Sequence, residues 1–577
     1  MEFELRGDSA LYDEADLDRH GARLARLIGV FLDNEAATVA DLPVMGSDEE
    51  ALLANASAGT SVECPPHTAT IIDIFARQAV ATPDRTALVF EQTTLTFADL
   101  SAQVFRLARH LADRRAGPGD IVAVALPRTE KAVVAALAVL ASGATYMPLD
   151  LDYPAERLAG MCAEARPRFI LTDGDTATLP QGPERIDLAD PVVLRAVAAQ
   201  PADPLSPAGA NVAYIIFTSG STGRPKGVMN SHAGLLNLFL AHAPTIYRPG
   251  IAAVQAASSD SGRTLRAAHT HSFAFDSSWL QLFWMLHGQE LHVMDEALRR
   301  DADRLVEAID ARRIDALDLP PSFCTQMLDC GLMDAGRHRP TVLLIGGEAA
   351  SPALWTALRR NPALLAHNLY GPTEFTVDAL RAPVHATERP VIGRPIGNAR
   401  ALILDALLRP VPVGVTGELY LTGSGLARGS LGRPDLTAER FVADPSGAGT
   451  IMYRTGDRAR WNADGAVEFL GRVDHQVKIR GYRIETAEIE AALLALGGVE
   501  AALVLAEPGG DSHRLLAYCT AKKTGDRQAL AQSLRRGLRD RLPDYMIPAA
   551  LVVLAAFPLT VNGKIDRRRL PAPELSV

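Results

Sequence analysis

An α/β fold in two unequal lobes is predicted by three features of the sequence. Helix-like and strand-like segments alternate along most of the chain, its 577 residues exceed what one compact core usually holds, and the pattern breaks and restarts near Asp474. Apolar residues recur at helical spacing over 71–80, a short apolar strand covers 87–90, a helix covers 102–114 and a strand 121–126. Elements of this kind bury one face or stripe each, so helices packed on sheets are the expected outcome.

Upstream, Leu17, Leu24, Leu27, Ile28, Phe31 and Leu32 share one helical face, and the polar, small, Pro-containing stretch 41–68 reads as a linker. Residues 132–141 are Ala-rich and apolar but fall well short of the roughly 20 residues a membrane span needs, so they read as a core helix. The smaller unit begins with the basic stretch 476–483. A helix over 486–496 follows, with Ala487, Ile489, Ala492, Leu493 and Leu496 as its apolar face and Glu488 and Glu490 near its positive N-terminal end. The hinge between the units is placed at Asp474.

Composition narrows the function. Apolar and charged fractions of 48% and 22% are those of an ordinary globular protein, and a net charge of -10 offers no basic field for nucleic acid or anionic lipid. The five cysteines (Cys64, Cys162, Cys324, Cys330, Cys519) show no CxxC spacing and read as buried free thiols. The acidic N-terminus, MEFELRGDSALYDEADLD, is unlike a secretory signal, which predicts a cytoplasmic location.

The richest chemistry lies at 215–227, IIFTSGSTGRPKG, where an apolar strand runs into a loop of hydroxyls and glycines closed by a lysine. Gly220 and Gly223 let backbone N–H groups approach an anion, Thr218, Ser219, Ser221 and Thr222 offer hydroxyls, and Lys226 adds charge. Pro225 before Lys226 and Gly227 after it exclude a Walker A loop. By itself the loop could also be a flexible Ser/Gly linker, although such linkers rarely follow so apolar a strand.

TSGSTGRPKG resembles the phosphate-loop signature of the adenylate-forming superfamily, and further motifs resemble those of nonribosomal peptide synthetase adenylation domains, in family order. They are LTFADL (95–100), LASGATYMPLD (140–150), FDSS (275–278), NLYGPTE (368–374), GELYLTGSGLARGSL (417–431), YRTGD (453–457), GRVDHQVKIRGYRIE (471–485), LPDYMIP (542–548) and NGKIDR (562–567). The resemblance implies a large multi-sheet N-terminal adenylate-forming core over 66–474 and a smaller mobile α+β C-terminal lobe over 475–577. It also implies a condensation-domain tail and linker over 1–65, so that the chain reads as one piece of a longer assembly line.

The resemblance also implies roles. Asn368, Tyr370 and Gly371 would border ATP, with Tyr370 stacked on adenine; Thr373 would contact the α-phosphate and Glu374 would hold Mg2+, an ion that prefers hard oxygen ligands. Asp457 would accept from the ribose hydroxyls with Arg472 nearby, and Lys564 would bridge the substrate carboxylate and the phosphate. Asp474 would be the pivot for a rotation that replaces the Lys564 loop with residues 478–483. A carrier protein's phosphopantetheine thiol would then take the acyl group. A condensation domain and an MbtH-like protein are further partners the resemblance allows.

Asp276 resembles the aspartate that pairs with a substrate's α-ammonium, which favours an amino acid over an aryl or acyl acid joined to coenzyme A. The pocket positions carried over are Asp276, Ser277, Leu280, Asp318, Leu344, Gly346, Leu369, Val377, Asp378 and Lys564. Asp318 and Asp378 among small and apolar neighbours would be costly to bury unpaired, so a cationic side chain is their natural complement. Arginine or a cyclised arginine fits best because a guanidinium offers planar paired donors, followed by lysine or ornithine; the alternative is that one Asp turns away or binds a Lys or Arg of the protein. A silent scaffold would better suit a chain lacking Lys564, Glu374 or Asp457. Thr486-Ala487 stands where the family commonly has Leu-Gly.

Overall fold

The computed structural model describes residues 4–8, 13–33, 38, 42–174, 177–205, 212–220, 223–259, 262–446, 449–509, 512–522 and 526–573. Three sheets build the large lobe. A nine-stranded sheet runs from Arg394–Pro395 and Leu380–Pro383 through Leu365–Tyr370, Val342–Gly346, Ala316–Leu319, Arg266–His269, Glu290–Val293 and Thr86–Phe90 to Thr93–Thr96. A six-stranded sheet ends on the antiparallel pair Val212–Thr218 and Lys226–Ser231, and a five-stranded sheet is centred on Ile451–Trp461. Strands Ala316–Leu319, Val342–Gly346 and Leu365–Tyr370 are parallel neighbours, with Asp318 opposite Leu344 and Gly346 opposite Leu369. Their carboxyl ends therefore open side by side, where ligands of α/β sheets commonly bind.

Helices cover the sheets as the periodicity requires. The Ala-rich run is part of helix Glu130–Ala141, started by the Thr129 side chain and buried at every position from 132 to 141. Helix Phe97–Asp113 begins five residues earlier than 102 because Thr96 and Asp99 form a reciprocal capping box. Among the described residues no helix is long and apolar enough to cross a membrane.

Two expectations are corrected. Residues 41–68 are not simply a linker: Ser47–Ala56 is a helix with Asp48, Glu49 and Glu50 in its first turn. Arg23 of the first helix, Glu14–Asp33, pairs with Glu49 and donates to the Val413 carbonyl at 2.7 Å, so this segment is tied down on the large lobe. Of the five cysteines, Cys162, Cys324 and Cys519 are buried, but Cys64 is exposed and Cys330 half-buried.

The small lobe carries its own apolar cluster, built around Ile484, Ile489, Leu493, Cys519, Leu538 and Met546. Its helix Thr486–Ala495 carries Glu488 in its first turn, as the helical pattern placed it, and buries it. Contact with the large lobe is the reason, and it bears directly on the site.

Candidate active site

Many of the residues singled out by the motifs, among them Ser219, Asp276, Asp318, Tyr370, Thr373, Asp378 and Asp457, line one cavity of about 780 Å3 between the lobes. Loop 219–225 joins two strands paired in register at Thr218 and Lys226. Gly220 is required because a Cβ there would lie 2.1 Å from the Arg224 carbonyl oxygen. Ser221 and Thr222 lie outside the described residues. Lys226 does not line the cavity and donates to Glu374 Oε1 at 2.7 Å, while Arg483 Nη1 of the small lobe donates to Oε2 at 2.6 Å. Burial alone would raise the Glu374 pKa, but the Arg483 and Lys226 charges dominate and hold it far below the usual carboxylate range.

Other loop donors also meet the small lobe. Ser219 Oγ donates to the Arg483 carbonyl at 2.8 Å and accepts from Glu485 N at 3.2 Å, and the Gly220 N–H donates to Glu488 Oε2 at 3.3 Å. In this lobe orientation, protein atoms thus occupy donors that the sequence assigns to phosphate. Glu374 is a single buried carboxylate, and among the described residues no group of three or more His, Cys, Asp or Glu side chains could hold a metal. One carboxylate suits Mg2+ that arrives with phosphate oxygens and water, provided Arg483 has left Oε2.

At the end of the cavity that the sequence assigns to nucleotide, Tyr370 donates its hydroxyl to Asp457 Oδ2, and Arg472 grips Asp457 Oδ1. The Lys478 ammonium stands 5.5 Å above the Tyr370 ring, on an aromatic face the sequence assigned to adenine. Burial lowers the Lys478 pKa, and the nearby Asp457 charge opposes that shift. Asn368 does not line the cavity. Its amide donates to the Val391 carbonyl at 2.8 Å and secures the strand instead.

Lys478 and Arg483 enter on the hairpin Val477–Ile479 and Tyr482–Ile484, whose turn places Arg480 and Gly481 at φ 52° and 79°. Tyr482 stacks on Tyr545 at 4.0 Å and meets the edge of Phe275 at 5.1 Å, which seats the hairpin tip in the cavity. Lys564 is not brought to the cavity. It is exposed on the turn that joins its carbonyl to Thr560 N at 2.7 Å. Asp474, between the last large-lobe strand and this hairpin, is gripped by Arg472 at 2.7 and 2.8 Å.

Three carboxylates, Asp276, Asp318 and Asp378, line the part of the cavity that the sequence assigns to the amino acid. Asp276, just before helix Ser278–Leu286, has a buried Oδ2 with no partner among the described residues. Burial pushes its pKa up to about 6 against the Thr373 hydroxyl bond, with the Asp378 and Glu374 charges adding to the rise. Asp318 is raised well above the ordinary range, first by burial and then by the Asp378 charge, and its Oδ2 is also unpartnered. His271 Nδ1 stands 3.8 Å away, too far for a hydrogen bond, and burial lowers its pKa to about 3, so it brings no charge to Asp318. Asp378 does bind a protein group, but it is His242 rather than a Lys or Arg. Ser277, Leu280, Gly346, Leu369 and Val377 line the same cavity; Leu344 does not, being packed in the core below.

His242, Arg157 and the Arg483–Glu374 pair escaped the sequence reading. His242 stands 136 residues from its partner and Arg157 stands 331 from Glu488, so local patterning held no signal for either.

The chain also has relatives among known proteins. Residues 75–431 match the AMP-binding enzyme family and residues 488–564 the AMP-binding enzyme C-terminal domain, so the chain belongs to the AMP-binding enzymes. It is 42% identical over 99% of its length to the vanchrobactin synthetase VabF of Vibrio anguillarum, of which it spans 20%. It is 37% identical over its whole length to enterobactin synthase component F of Escherichia coli, spanning 44% of that protein. Among solved structures, holo-PA1221, a nonribosomal peptide synthetase protein with adenylation and PCP domains, matches with a TM-score of 0.74 and 28% identity over 90% of this chain and 85% of that one. Holo-AB3403, a four-domain nonribosomal peptide synthetase bound to AMP and glycine, matches with a TM-score of 0.70 and 29% identity over 98% of this chain and 41% of that one. As an AMP-binding enzyme the chain is an adenylate-forming ligase, and the solved structures it is similar to include nonribosomal peptide synthetase proteins with adenylation domains.

Proposed function

We propose that the chain activates a basic amino acid, arginine or a cyclic guanidino analogue with lysine or ornithine next, and passes it to a carrier protein. The observation that carries the reading is the trio Asp276, Asp318 and Asp378 in one cavity, with a buried, unpartnered oxygen on each of the first two. An α-ammonium at Asp276 and a side-chain cation between Asp318 and Asp378 would supply the missing partners.

In the first half-reaction a carboxylate oxygen of the amino acid bonds to the α-phosphorus of ATP as the bond to the β-phosphate bridge breaks, and pyrophosphate leaves. Positioning and positive charge do most of the work in such a transfer. Thr373 and Lys564 contact the reacting groups, Asp457 and Arg472 hold the ribose, and Tyr370 flanks adenine. Mg2+ held by Glu374 would neutralise phosphate charge. In the second half-reaction the phosphopantetheine thiol of a peptidyl carrier protein bonds to the acyl carbon, the bond to AMP breaks, and the thiol proton is released. The seating of 478–483 in the cavity with Lys564 outside supports assigning the present lobe orientation to this second step, with Asp474 as pivot. A condensation domain and an MbtH-like protein are the further expected partners, in the cytoplasm.

The test is ATP–pyrophosphate exchange across the amino acids, arginine analogues included. Exchange driven best by a cationic amino acid is expected; exchange confined to neutral or acidic ones overturns the substrate assignment.

A further inference from the structure

Asp378 is placed by an unusual piece of backbone. Thr376 and Val377, both β-branched, adopt φ of 46° and 72°, the left-handed region that such residues avoid. The turn they make folds back onto Gly371, where a Cβ would lie 2.2 Å from the Val377 oxygen and 2.6 Å from the Asp378 Cα, so glycine is required beneath it. Strain of this kind persists where the surroundings over-determine it, and here it turns two consecutive side chains, Val377 and Asp378, into the cavity.

Behind Asp378 stands His242, fully buried at the end of helix His232–His242 and outside the cavity lining. Its Nε2 is 3.1 Å from Asp378 Oδ2. An ionised carboxylate only accepts, so Nε2 carries the proton and donates. Nδ1 has no partner among the described residues, so an apolar side chain of similar size would satisfy this interior better unless the bond to Asp378 matters. The chain leaves His242 through a π-helical turn, Ala243–Tyr247, a distortion frequent near functional sites. Tyr247 at its end donates its hydroxyl to the carbonyl of Leu280, itself a wall of the cavity, at 2.9 Å. One irregular helix end thus supports the pocket at two places.

We propose that His242 is a specificity-determining positioning residue: its ring fixes the Asp378 carboxylate so that the remaining oxygen, together with Asp318, receives the cationic side chain of the substrate. The proposal rests on the basic-substrate reading above and adds to it a residue that never touches substrate. Without the imidazole the carboxylate is free to rotate, and the cation loses one of two fixed acceptors, while the α-ammonium at Asp276 and the nucleotide end are untouched.

The test compares His242→Leu, His242→Gln and His242→Asn with the unaltered chain in pyrophosphate exchange, using arginine and lysine as probes. His242→Leu is expected to raise the amino-acid KM about tenfold, with the ATP KM and kcat within about twofold. His242→Gln, whose amide can donate from nearly the Nε2 position, is expected to recover most of that loss, and the shorter Asn is not. Should the Leu variant fail to fold, as judged by its thermal midpoint, the Gln and Asn pair carries the comparison. An amino-acid KM and preference unchanged in His242→Leu, or equal in the Gln and Asn variants, overturns the proposal while leaving the substrate class standing. Failure of the unaltered chain to activate any cationic amino acid overturns both.

Discussion

The Arg157 guanidinium and the Glu488 carboxylate meet at 2.6 Å across the two lobes, and both side chains are buried. The other oxygen of Glu488 accepts the Gly220 N–H, so a carboxylate of the small lobe sits on the loop expected to cradle phosphate. Glu488 and nucleotide phosphates would compete for that donor, which couples the present orientation to a vacated phosphate loop. Breaking one side of a buried pair costs about 3–5 kcal/mol because the other charge is left unpaired. Glu488→Gln and Arg157→Met are each expected to slow carrier loading on the order of a hundredfold while pyrophosphate exchange changes little. Equal losses in both assays would show that the pair supports folding rather than this orientation.

Lys564 is exposed on its turn, away from the cavity, so its contribution requires the other lobe orientation. Lys564→Ala is expected to lower the exchange rate about a hundredfold, or ~3 kcal/mol, through loss of one placed charge. Loading of a carrier from preformed aminoacyl-AMP is expected to survive. Near-normal exchange in the variant would refute the assignment.

Asp276 must be ionised to pair with an α-ammonium, and burial lifts its pKa to about 6. As pH falls through 6 the neutral form takes over in the free enzyme, so kcat/KM for the amino acid is expected to drop about tenfold per pH unit below that point and to level off above it. Asp276→Asn is expected to flatten this limb at a low value. A profile flat down to pH 5 would mean that another group answers the ammonium.

Among the described residues Asp318 has no charged protein partner, since the His271 imidazole 3.8 Å away is held neutral. Asp318→Ala is therefore expected to raise the KM for a basic amino acid on the order of a hundredfold with the ATP KM unchanged, as expected for loss of a desolvated charge contact. An unchanged amino-acid ranking would remove Asp318 from the recognition surface.

The chemistry of this protein was legible along the chain wherever a motif is local. The glycines Gly220 and Gly223, the Tyr370 to Glu374 segment and the alternation of elements are short-range patterns, because turns and strand or helix faces are set by residues a few positions apart. Capping by Thr96 moved a helix start by five residues, and acidic residues 48–50 made a helix in a stretch that composition marked as linker. The first boundary is set by a capping box and the second helix start carries acidic residues at its positive end, local details that periodicity averages away.

The amino-acid sequence by itself determined the family, the glycine-rich loop that follows an apolar strand and the aspartates that line the cavity, since these reside in residue type and spacing. Tertiary structure alone decided that Asn368 and Leu344 serve the core, that Lys564 waits outside while Lys478 and Arg483 fill the cavity, and that Asp378 is backed by His242. The physical reason is distance along the chain. A buried carboxylate takes whichever donor the packing brings within about 3 Å, and for Asp378, Glu374 and Glu488 those donors lie more than a hundred residues away.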